Sequence, residues 1–407
     1  MLSYNLVRVL QNRASSISST IRQNRVSRKN SSGFAHQTPY RPDKPRLREA
    51  NLDDYQQINA IQTRNGLESR NRENWLAFWR DNPVYKDLGG RWPIGWILED
   101  ADTKTVGWLG NLPSAYHFRG SKLLCATVSP WVVDESYRAY STLLLDRFTR
   151  QKEPDLRIIS TAGPTAGPIS HLFGYSKAPV GAWDQAAFWI THYRGFVKAV
   201  LSTKIAPLAG IVAQPLAVTL FLRDWLNIRR MKSSAAAEIE LCATIDSRFD
   251  GFWEELKDQR QDTLLADRDR ENLLWHLRDK LAEGKVWILA VSRGNRLVAY
   301  TILEKETHQS GLKHARLVDF QALQGCEDTL PSFIWQAMTK CRSEGIHLLE
   351  VIGCWLNRAG LPRIAPAYYR GLNSWTFYYK AANRELARSL RDPLVWAPSG
   401  FDGDACV

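Results

Sequence analysis

The residues best suited to chemistry lie where a predicted strand, residues 123–133, gives way to a predicted helix. The carboxylates of Asp134 and Glu135 follow the strand directly, Arg138 comes next, and Ser141 stands near the start of the helix. A carboxylate can accept a proton from a reacting group. The first N–H groups of a helix and its positive dipole end attract anions. This junction is therefore a candidate site, although acids in such turns are more often simply solvated.

Other reactive side chains show no catalytic arrangement. Neither a Ser–His–Asp nor a Cys–His constellation is readable, and we interpret His117 and His171 as structural. The six cysteines are far apart and lack the spacing of a zinc site, so no metal is expected. They are interpreted as buried thiols in a reducing compartment. The cysteines are Cys125, Cys242, Cys326, Cys341, Cys354 and Cys406.

The basic character of the chain is concentrated at its amino terminus. The net charge is +12, and residues 1–42 hold seven basic residues and no acid, which leaves +5 for residues 43–407. This distribution does not favour a nucleic-acid-binding fold. The Arg- and Ser-rich composition, with Leu6, Val9 and Leu10 near helical spacing, is typical of a mitochondrial presequence. The favoured alternative is a disordered basic extension, residues 1–44, on a cytoplasmic bacterial protein.

The elements that must position the junction form a mixed α/β pattern over residues 45–195. The predicted order is β-α-α-β-β-β-α-β-α-β, with antiparallel strands first and a β-α-β unit later. A sheet of this kind splays where the order changes, and ligands enter such crevices. The predicted strands cover residues 46–50, 94–98, 106–112, 123–133, 156–160 and 183–190.

This order of elements and the turns between them resemble a GNAT acyltransferase domain. The resemblance is carried by Ser129–Arg138 with the following Leu143–Leu145, by Val106–Pro113, which resembles the central strand, and by His171–Tyr175, which resembles a later signature. It covers residues 45–195 and implies an acyl-CoA co-substrate, acetyl-CoA being the simplest. The expected fold class is α/β with a mixed sheet, in two tandem GNAT-like domains.

The resemblance also implies roles for individual residues. Backbone groups of Val132 and Val133 are expected to bind the pantetheine arm, and the turn that follows is expected to bind the pyrophosphate. Tyr175 is expected to protonate the departing thiolate, and Asp134 or Glu135 to act as the base; a packing tyrosine and solvated acids are the alternatives. The pyrophosphate turn comprises Arg138, Ala139, Tyr140, Ser141 and Thr142.

One departure from the family pattern concerns this turn. The family has Arg/Gln-x-x-Gly-x-Gly/Ala, whereas this chain reads Arg138-Ala-Tyr-Ser141-Thr-Leu143. Glycine lets backbone approach a phosphate because no Cβ intervenes. Ser141 is small and carries a hydroxyl, but Leu143 is bulky. CoA binding is therefore expected to be retained in altered form or lost.

The second half repeats the plan, which indicates an internal duplication. Residues 235–407 are predicted as a second GNAT-like domain, degenerate for CoA because its turn, Gln324–Thr329, contains Glu327 and Asp328, which repel pyrophosphate. A late strand is predicted at residues 375–380. The tail from Trp396 to Asp404 loosely resembles the carboxyl ends of bacterial tandem acyltransferase-like proteins encoded with exopolysaccharide functions.

The linker, residues 196–234, contains eighteen uncharged residues from Ile205 to Leu222, interrupted by Pro207 and Pro215. The favoured interpretation is a helical connector between domains. A helix lying on a membrane face is the second interpretation. A membrane span is the third and least favoured, because the length is minimal and the prolines interrupt it.

Three functional hypotheses follow. The first is an acyl-CoA-dependent N-acyltransferase acting on an amine, with an amino sugar or another cell-envelope or exopolysaccharide precursor as the suggested acceptor. The second is a non-catalytic GNAT-like scaffold or sensor. The third is a FemABX-type aminoacyl transferase, which would require a basic groove for tRNA. No nucleic-acid partner is expected from the charge distribution. The expected location is the cytoplasm, with membrane association or the mitochondrial matrix as alternatives.

Overall fold

The architecture is known from a computed structural model that describes residues 43–68, 70–202, 209–228, 238–353, 368–372 and 375–403. Residues 1–42, which carry the predicted extension, lie outside the described residues, as does the predicted joint at 231–237. The described residues form two mixed β-sheets flanked by helices. The expected α/β class is therefore confirmed.

The first half contains seven strands and five helices in its part of the described chain. Its strands are β1 (Arg46–Glu49), β2 (Gly95–Glu99), β3 (Thr105–Phe118), β4 (Ser121–Val133), β5 (Leu156–Ala162), β6 (Ser176–Lys177) and β7 (Gln185–Ile190). Its helices are α1 (Tyr55–Arg64), α2 (Arg72–Arg80), α3 (Pro83–Asp87), α4 (Ser141–Thr149) and α5 (Ala166–Leu172).

The connection and the second half contribute the remaining elements. The helices are α6 (Tyr193–Ser202), α7 (Ala209–Ile228), α8 (Arg248–Gln259), α9 (Arg270–Ala282), α10 (Leu330–Ser343) and α11 (Arg384–Ser389). The strands are β8 (Ile239–Cys242), β9 (Leu265–Ala266), β10 (Val286–Arg293), β11 (Arg296–Thr307), β12 (Lys313–Ala322), β13 (Leu348–Ile352), β14 (Tyr368–Gly371) and β15 (Thr376–Ala381).

Local sequence signals explain where the first helices begin. Asn51 accepts a hydrogen bond from the N–H of Asp53 at 2.8 Å, and the carboxylate of Asp54 accepts one from the N–H of Asn51 at 2.9 Å. This capping box starts a 3₁₀ turn that leads into α1. Asn71 caps α2 in the same way, at 2.8 Å from the N–H of Asn74. Asparagine is a preferred residue at such caps, so the sequence itself favours helix starts at both positions.

Both sheets carry the same irregularity in their central antiparallel pair. In the first sheet the register between β3 and β4 shifts between Leu109 and Asn111, and in the second the register between β11 and β12 shifts between Ile302 and Leu303. Each shift leaves one extra residue on the later strand, which is a β-bulge. A Cβ at Gly110 would lie 1.9 Å from the carbonyl oxygen of Ser129, so the first bulge requires glycine there.

The two halves exchange strands, which differs from the boundary expected at residue 195. The order of the first sheet is β1-β2-β3-β4-β5-β15-β6, and that of the second is β14-β7-β13-β12-β11-β10-β8. The strand β7, predicted for the first domain, pairs with β13, and β15, predicted for the second, pairs with β5. Both strands were recognised as strands; their partners depend on long-range packing that periodicity does not encode.

Additional contacts join the halves. The short strand β9 pairs with β3, so Ala266 lies opposite Tyr116. Trp275 on α9 stacks on Phe78 of α2 at a ring-centroid distance of 5.4 Å and donates a hydrogen bond to its carbonyl oxygen at 2.9 Å. The second half therefore contacts the first half directly, through β9 on β3 and α9 on α2.

The connection between the halves is a pair of helices packed on the second sheet. Phe196 and Val200 of α6 and Ala213 and Leu220 of α7 share a buried cluster with Phe188 of β7. This packing matches the interpretation as a helical connector. Within the described ranges, none of the helices combines the length and apolarity of a membrane span.

Candidate functional site

The candidate site lies where β4 and β5 part. These parallel strands pair only through Cys125–Thr127 on β4 and Leu156–Ile158 on β5. Beyond that point β4 continues to Val133 along β3, whereas β5 continues to Ala162 along β15. The sheet therefore opens between residues 128–133 and 159–162, and we call this opening the cleft.

Backbone groups on one side of the cleft are available to a ligand. The N–H of Asp134 donates to the carbonyl oxygen of Val106 at 2.9 Å, so Asp134 is bonded toward β3. Because successive strand residues direct their backbone groups to opposite edges, those of Val133 face the cleft and those of Val132 face β3. Of the two residues predicted to offer backbone contacts, only Val133 directs its backbone groups into the cleft, and its contact with a ligand stays a prediction.

The start of α4 follows at the end of the cleft. Residues Glu135–Tyr140 form a 3₁₀ turn, Ser141 begins the α-helix, and no side chain caps either segment. The helix therefore presents its first turn and positive dipole end without a competing carboxylate. Ala139 and Arg138 are exposed, and Ser141 and Thr142 are partly buried. The predicted pyrophosphate turn is thus one continuous surface beside the cleft.

The bulky residue that departs from the family pattern is accommodated. Leu143 packs against the buried cluster that contains Leu144, Trp96 and Val128, together with Tyr140. Its side chain contributes to the core beneath the turn. The substitution of leucine for a small residue therefore adds packing at this end of α4, where the partly buried Ser141 begins the helix.

The three side chains predicted to do the chemistry are not brought together. Asp134 is held by Arg64, whose Nη2 lies 2.6 Å from Oδ2, and by Asn65, whose Nδ2 lies 2.9 Å from Oδ1. This arrangement ties the end of β4 to α1 and occupies the carboxylate. Glu135 is exposed, with Oε1 3.9 Å from Nη1 of Arg138. Neither acid is placed as a base within the cleft.

The third predicted residue, Tyr175, lies at the far end of α4. It is buried, and its hydroxyl is 3.2 Å from Oγ1 of Thr149, the last residue of the helix. Eight residues of α-helix separate Thr149 from Ser141, which corresponds to about 12 Å. Burial raises the pKa of the Tyr175 phenol, which keeps it protonated. A packing role, the alternative considered from the sequence, matches this position.

Residues that sequence reasoning missed line the floor of the cleft. Thr127 and Ser160 stand on β4 and β5 at the point of divergence, and Gly403 of the tail lies against both. A Cβ at Gly403 would be 2.2 Å from Oγ of Ser160 and 3.8 Å from Cγ2 of Thr127. The splay predicted for the mixed sheet could have indicated Thr127 and Ser160, but no local signal indicates the tail.

The corresponding turn of the second sheet is occupied by its own side chains. Oε2 of Glu327 accepts a hydrogen bond from the N–H of Gly325 at 2.8 Å, and Oε1 of Gln259 accepts one from the N–H of Gln324 at 2.7 Å. These are the amides that a phosphate would need. Side chains therefore already bond these two amides, and the degeneracy of this turn for CoA stays a prediction.

A buried charge cluster fills the second sheet near its bulge. Nε of Arg268 lies 2.9 Å from Oδ2 of Asp319, and its Nη2 lies 2.9 Å from Oδ2 of Asp402 in the tail. Oγ of Ser399 accepts a further bond from Nη2 at 3.1 Å, and Tyr300 donates to Asp319 at 3.2 Å. The cluster anchors the tail so that Gly403 reaches the first sheet.

The cysteines behave as predicted where they are described. Cys125, Cys326 and Cys341 are buried free thiols, and Cys242 is a partly buried one. Burial raises the pKa of Cys125 to about 12, so it is no thiolate at neutral pH. Cys354 and Cys406 lie outside the described residues. Among the residues that the structure describes, no group of metal-binding side chains is found.

Solved structures place this architecture in a known fold. A GCN5-related N-acetyltransferase from Anabaena variabilis is 14% identical, with a TM-score of 0.51 over 84% of this chain and 73% of that one. An N-myristoyltransferase from Saccharomyces cerevisiae, with bound myristoyl-CoA and inhibitors, is 10% identical, with a TM-score of 0.51 over 93% of this chain and 92% of that one. Another structure of the yeast enzyme with myristoyl-CoA is 9% identical, with a TM-score of 0.50 over 91% and 93% of the two chains.

No protein-family model and no curated protein matches this sequence. At such identities the structural likeness establishes the fold alone. The chain therefore has the GNAT fold, as the sequence predicted. Each of its two sheets has a bulged strand, β4 or β12, that pairs in parallel with the next long strand, β5 or β13. This repeated arrangement shows that the fold occurs twice in tandem.

Proposed function

We propose that the protein is an acyl-CoA-dependent N-acyltransferase with a single donor site, in the cleft of the first sheet. One observation carries the proposal. The opened edge of β4, with the backbone of Val133, leads through the 3₁₀ turn at residues 135–140 into the start of α4, which no side chain caps. An acyl-pantetheine arm needs the first feature and a pyrophosphate needs the second. The similar yeast structures contain bound myristoyl-CoA, which supports a CoA thioester as the donor.

The chemistry requires neither a metal nor a covalent enzyme intermediate. The nitrogen of a neutral amine attacks the thioester carbonyl carbon, a C–N bond forms and the C–S bond breaks. The nitrogen loses a proton and the departing sulfur gains one, which leaves an amide and free CoA thiol. The protein orients the two reactants and excludes water. The open edge of β4 holds the donor so that its thioester lies near Thr127 and Ser160.

Finer features of the function remain predictions from the sequence. These are the acetyl group as the acyl chain, an amino sugar or envelope precursor as the acceptor, and a cytoplasmic location. Electrostatics restricts the choice of donor site. An anionic cofactor approaching the second turn would meet Glu327, which already occupies the amide of Gly325.

Calorimetric titration of the full chain with acetyl-CoA and longer acyl-CoAs tests the proposal. We expect micromolar binding at a stoichiometry of one. Ser141→Glu places a carboxylate at the proposed pyrophosphate site and should weaken binding at least about tenfold, equivalent to about 1.4 kcal/mol. Arg138→Ala removes one exposed cation and should weaken binding about threefold.

The matched control is Ser332→Glu, the same substitution in the first turn of α10. It should leave affinity unchanged, because the second turn binds no donor. Equal effects of the two Ser→Glu substitutions would contradict the placement of the site. Absence of binding for every acyl-CoA would contradict the enzyme proposal and favour a GNAT-shaped scaffold.

A further inference from the structure

A small cavity lies between the two halves, on the face of the first sheet away from α4. Leu112, Ser114 and Tyr116 of β3 line it. In the register of the sheet, Leu112 and Ser114 lie opposite Thr127 and Cys125. The helix α4 packs on the opposite face of the sheet. Successive side chains of a strand point to alternate faces, so Leu112, Ser114 and Tyr116 share the face away from α4. A ligand in the cavity would therefore approach the cleft from the side opposite α4.

The second half closes this cavity, which measures about 30 Å³. That volume accommodates a group of a few heavy atoms at most, such as the amino end of a larger molecule. It does not accommodate an entire sugar or peptide. The residues contributed by the second half are Ala266, Asp267, Asn272, Trp275, His276, Phe401 and Gly403.

The cavity extends to the point where the donor thioester is expected. Gly403 lines the cavity and also lies against Ser160 and Thr127, where β4 and β5 part. Ser114, another lining residue, has its Oγ 3.4 Å from Oγ1 of Thr127. The cavity and the cleft thus share a boundary formed by these small residues, so a group in one lies next to a group in the other.

Two polar atoms in the cavity wall lack a partner among the described residues. They are the hydroxyl of Tyr116 and Nε2 of His276, both shielded from solvent. Tyr116 is 3% exposed, and the ring of His276 is held against Phe401 at a centroid distance of 4.2 Å. Buried polar groups are usually hydrogen-bonded, so two unpaired polar atoms on residues that line one cavity indicate a ligand or water that pairs with them.

The remaining lining residues define the chemistry of that ligand. Asp267 is the charged residue among those that line the cavity, and Trp275 and Phe401 contribute aromatic rings. A carboxylate and aromatic rings attract an ammonium or amine and disfavour an anion. The carboxylate of Asp267 is also 3.5 Å from Nε2 of His117 and 3.9 Å from Nζ of Lys122, which hold it in place.

We propose that this cavity receives the amino end of the acceptor, with Tyr116 and His276 as its hydrogen-bonding partners. The proposal rests on the donor site proposed above, because it places the amine on the other side of the same cleft. It assigns acceptor recognition jointly to β3 of the first half and α9 of the second. The acceptor class is a primary amine whose amino end is small enough for the cavity.

Both partners are electrically neutral at physiological pH, which suits this role. Burial, with the nearby charge of Asp402, raises the pKa of Tyr116 well above its usual range. Burial, with the charges of Lys280, Arg70 and Arg268, lowers the pKa of His276 to about 3. A hydroxyl and a neutral imidazole both accept hydrogen bonds from an amine. His276 and Tyr116 are therefore binding residues and neither is an efficient base.

The first test needs no acyl-CoA. Histidine side chains of the full chain are labelled with ¹⁵N, the His276 signal is assigned by its loss in His276→Gln, and methylammonium is added. We expect a saturable shift of the His276 signal that Tyr116→Phe weakens several-fold. Acetate, an anion of similar size, should cause no shift. Absence of any methylammonium effect would overturn the proposal, and the cavity would then hold water.

The second test links the cavity to catalysis. Thiol release from acetyl-CoA is followed with a panel of primary amines for the wild type, Tyr116→Phe and His276→Gln. Each variant should raise the KM for the amine about tenfold, since one hydrogen bond is lost, while the affinity for acetyl-CoA is unchanged. Tyr379→Phe is the control, because its hydroxyl bonds the carbonyl oxygen of Leu390 at 3.1 Å, away from the cavity.

The outcomes separate the two proposals. If the wild type binds no acyl-CoA, the proposed function is contradicted. The methylammonium titration would then still test whether the cavity binds an amine. Normal donor binding with unchanged amine kinetics in both variants would overturn the cavity proposal alone.

Discussion

The two strand-to-helix turns of this protein start from the same architecture and differ in what satisfies their backbone. Neither α4, after the turn at residues 134–141, nor α10 has a side-chain cap at its start, so the difference lies in the turn that precedes the helix. After β12, the turn at residues 324–330 enters α10 with the N–H of Gly325 bonded to Glu327. The first turn leaves room for an external anion, whereas the carboxylate of Glu327 already fills that place in the second turn.

The cores beside the two turns also differ, because one contains small side chains and the other contains a buried ion-pair cluster. Next to the first, β4 and β5 separate around small side chains, Thr127 and Ser160. Next to the second, the bulge of β12 carries Asp319, paired with Arg268 and through it with Asp402. Under the proposed function, one copy of the duplicated fold keeps the ligand site, and the charge cluster of the other copy holds the tail beside that site.

The largest effect is expected from removing the cation of the buried charge cluster. Arg268→Ala would leave the buried carboxylates of Asp319 and Asp402 without their cation. We expect a loss of about 3–5 kcal/mol in the free energy of unfolding, measured by urea denaturation. Arg150→Ala, which removes an exposed pair with Asp146, should cost less than about 0.5 kcal/mol. A loss below about 1 kcal/mol for Arg268→Ala would contradict the assigned role.

The next effect concerns the acid stability of the second sheet. Burial alone would raise the pKa of Glu350, but the guanidiniums of Arg370 and Arg316, 2.8 and 3.1 Å away, lower it to about 2. Its stabilisation is therefore complete above the unfolded pKa of about 4.3 and is lost as the pH falls from there through about 2.

Glu350→Gln should accordingly lower stability by about 2 kcal/mol at pH 7. The difference from the wild type should shrink at pH 3, because the carboxyl of the unfolded chain is then mostly protonated while the folded wild type still holds it ionised. Thermal unfolding at the two pH values measures this. A difference independent of pH would show that the carboxylate charge contributes nothing.

A smaller effect is expected from opening the second turn. Glu327→Ala frees the N–H of Gly325 and removes a partly exposed carboxylate that lies 4.0 Å from Arg260. Stability should fall by about 1 kcal/mol or less. Calorimetry should still give one equivalent of acyl-CoA, because the charge cluster continues to fill the adjoining core. A second equivalent would show that Glu327 alone distinguishes the two turns.

The smallest effect concerns the helices that connect the two regions. On α7, Val218, Phe221, Leu222 and Trp225 are exposed, beside the exposed cation Arg223. The predicted peripheral membrane contact would use this face. Phe221→Asp should reduce sedimentation with vesicles containing anionic lipid several-fold and leave the stability unchanged. Leu394→Asp, at another exposed leucine, is the control; equal reductions would contradict the contact.

Much of the fold could be predicted because its signals are local. The capping residue Asn51 and the acids Glu327 and Asp328 act within a few residues of their positions. Hydrophobic patterning predicted the main strands of residues 45–195 and the late strand at residues 375–380, and the order of elements indicated a duplicated GNAT fold. The pyrophosphate turn was predicted because the start of a helix after a strand offers N–H groups to an anion, and its role stays a prediction.

The rest of the candidate site could not be predicted because it depends on distant contacts. Tyr175 was chosen from a motif, yet it is buried at the far end of α4. Asp134 was chosen from its place after a strand, yet Arg64 occupies it. The cavity residues Tyr116 and His276 are 160 positions apart and carry no motif. Their proximity depends on the docking of α9 against β3.

The sequence by itself determined that this chain folds as two related α/β units and that the first of them keeps the better turn for an anion. Hydrophobic periodicity and turn residues encode such features, because each acts over one element. Only the tertiary structure decided that β7 and β15 change sheets, that Asp402 and Arg268 anchor the tail, and that the two halves enclose a cavity. Those features depend on which buried surfaces fit one another, and that is a property of the packed whole.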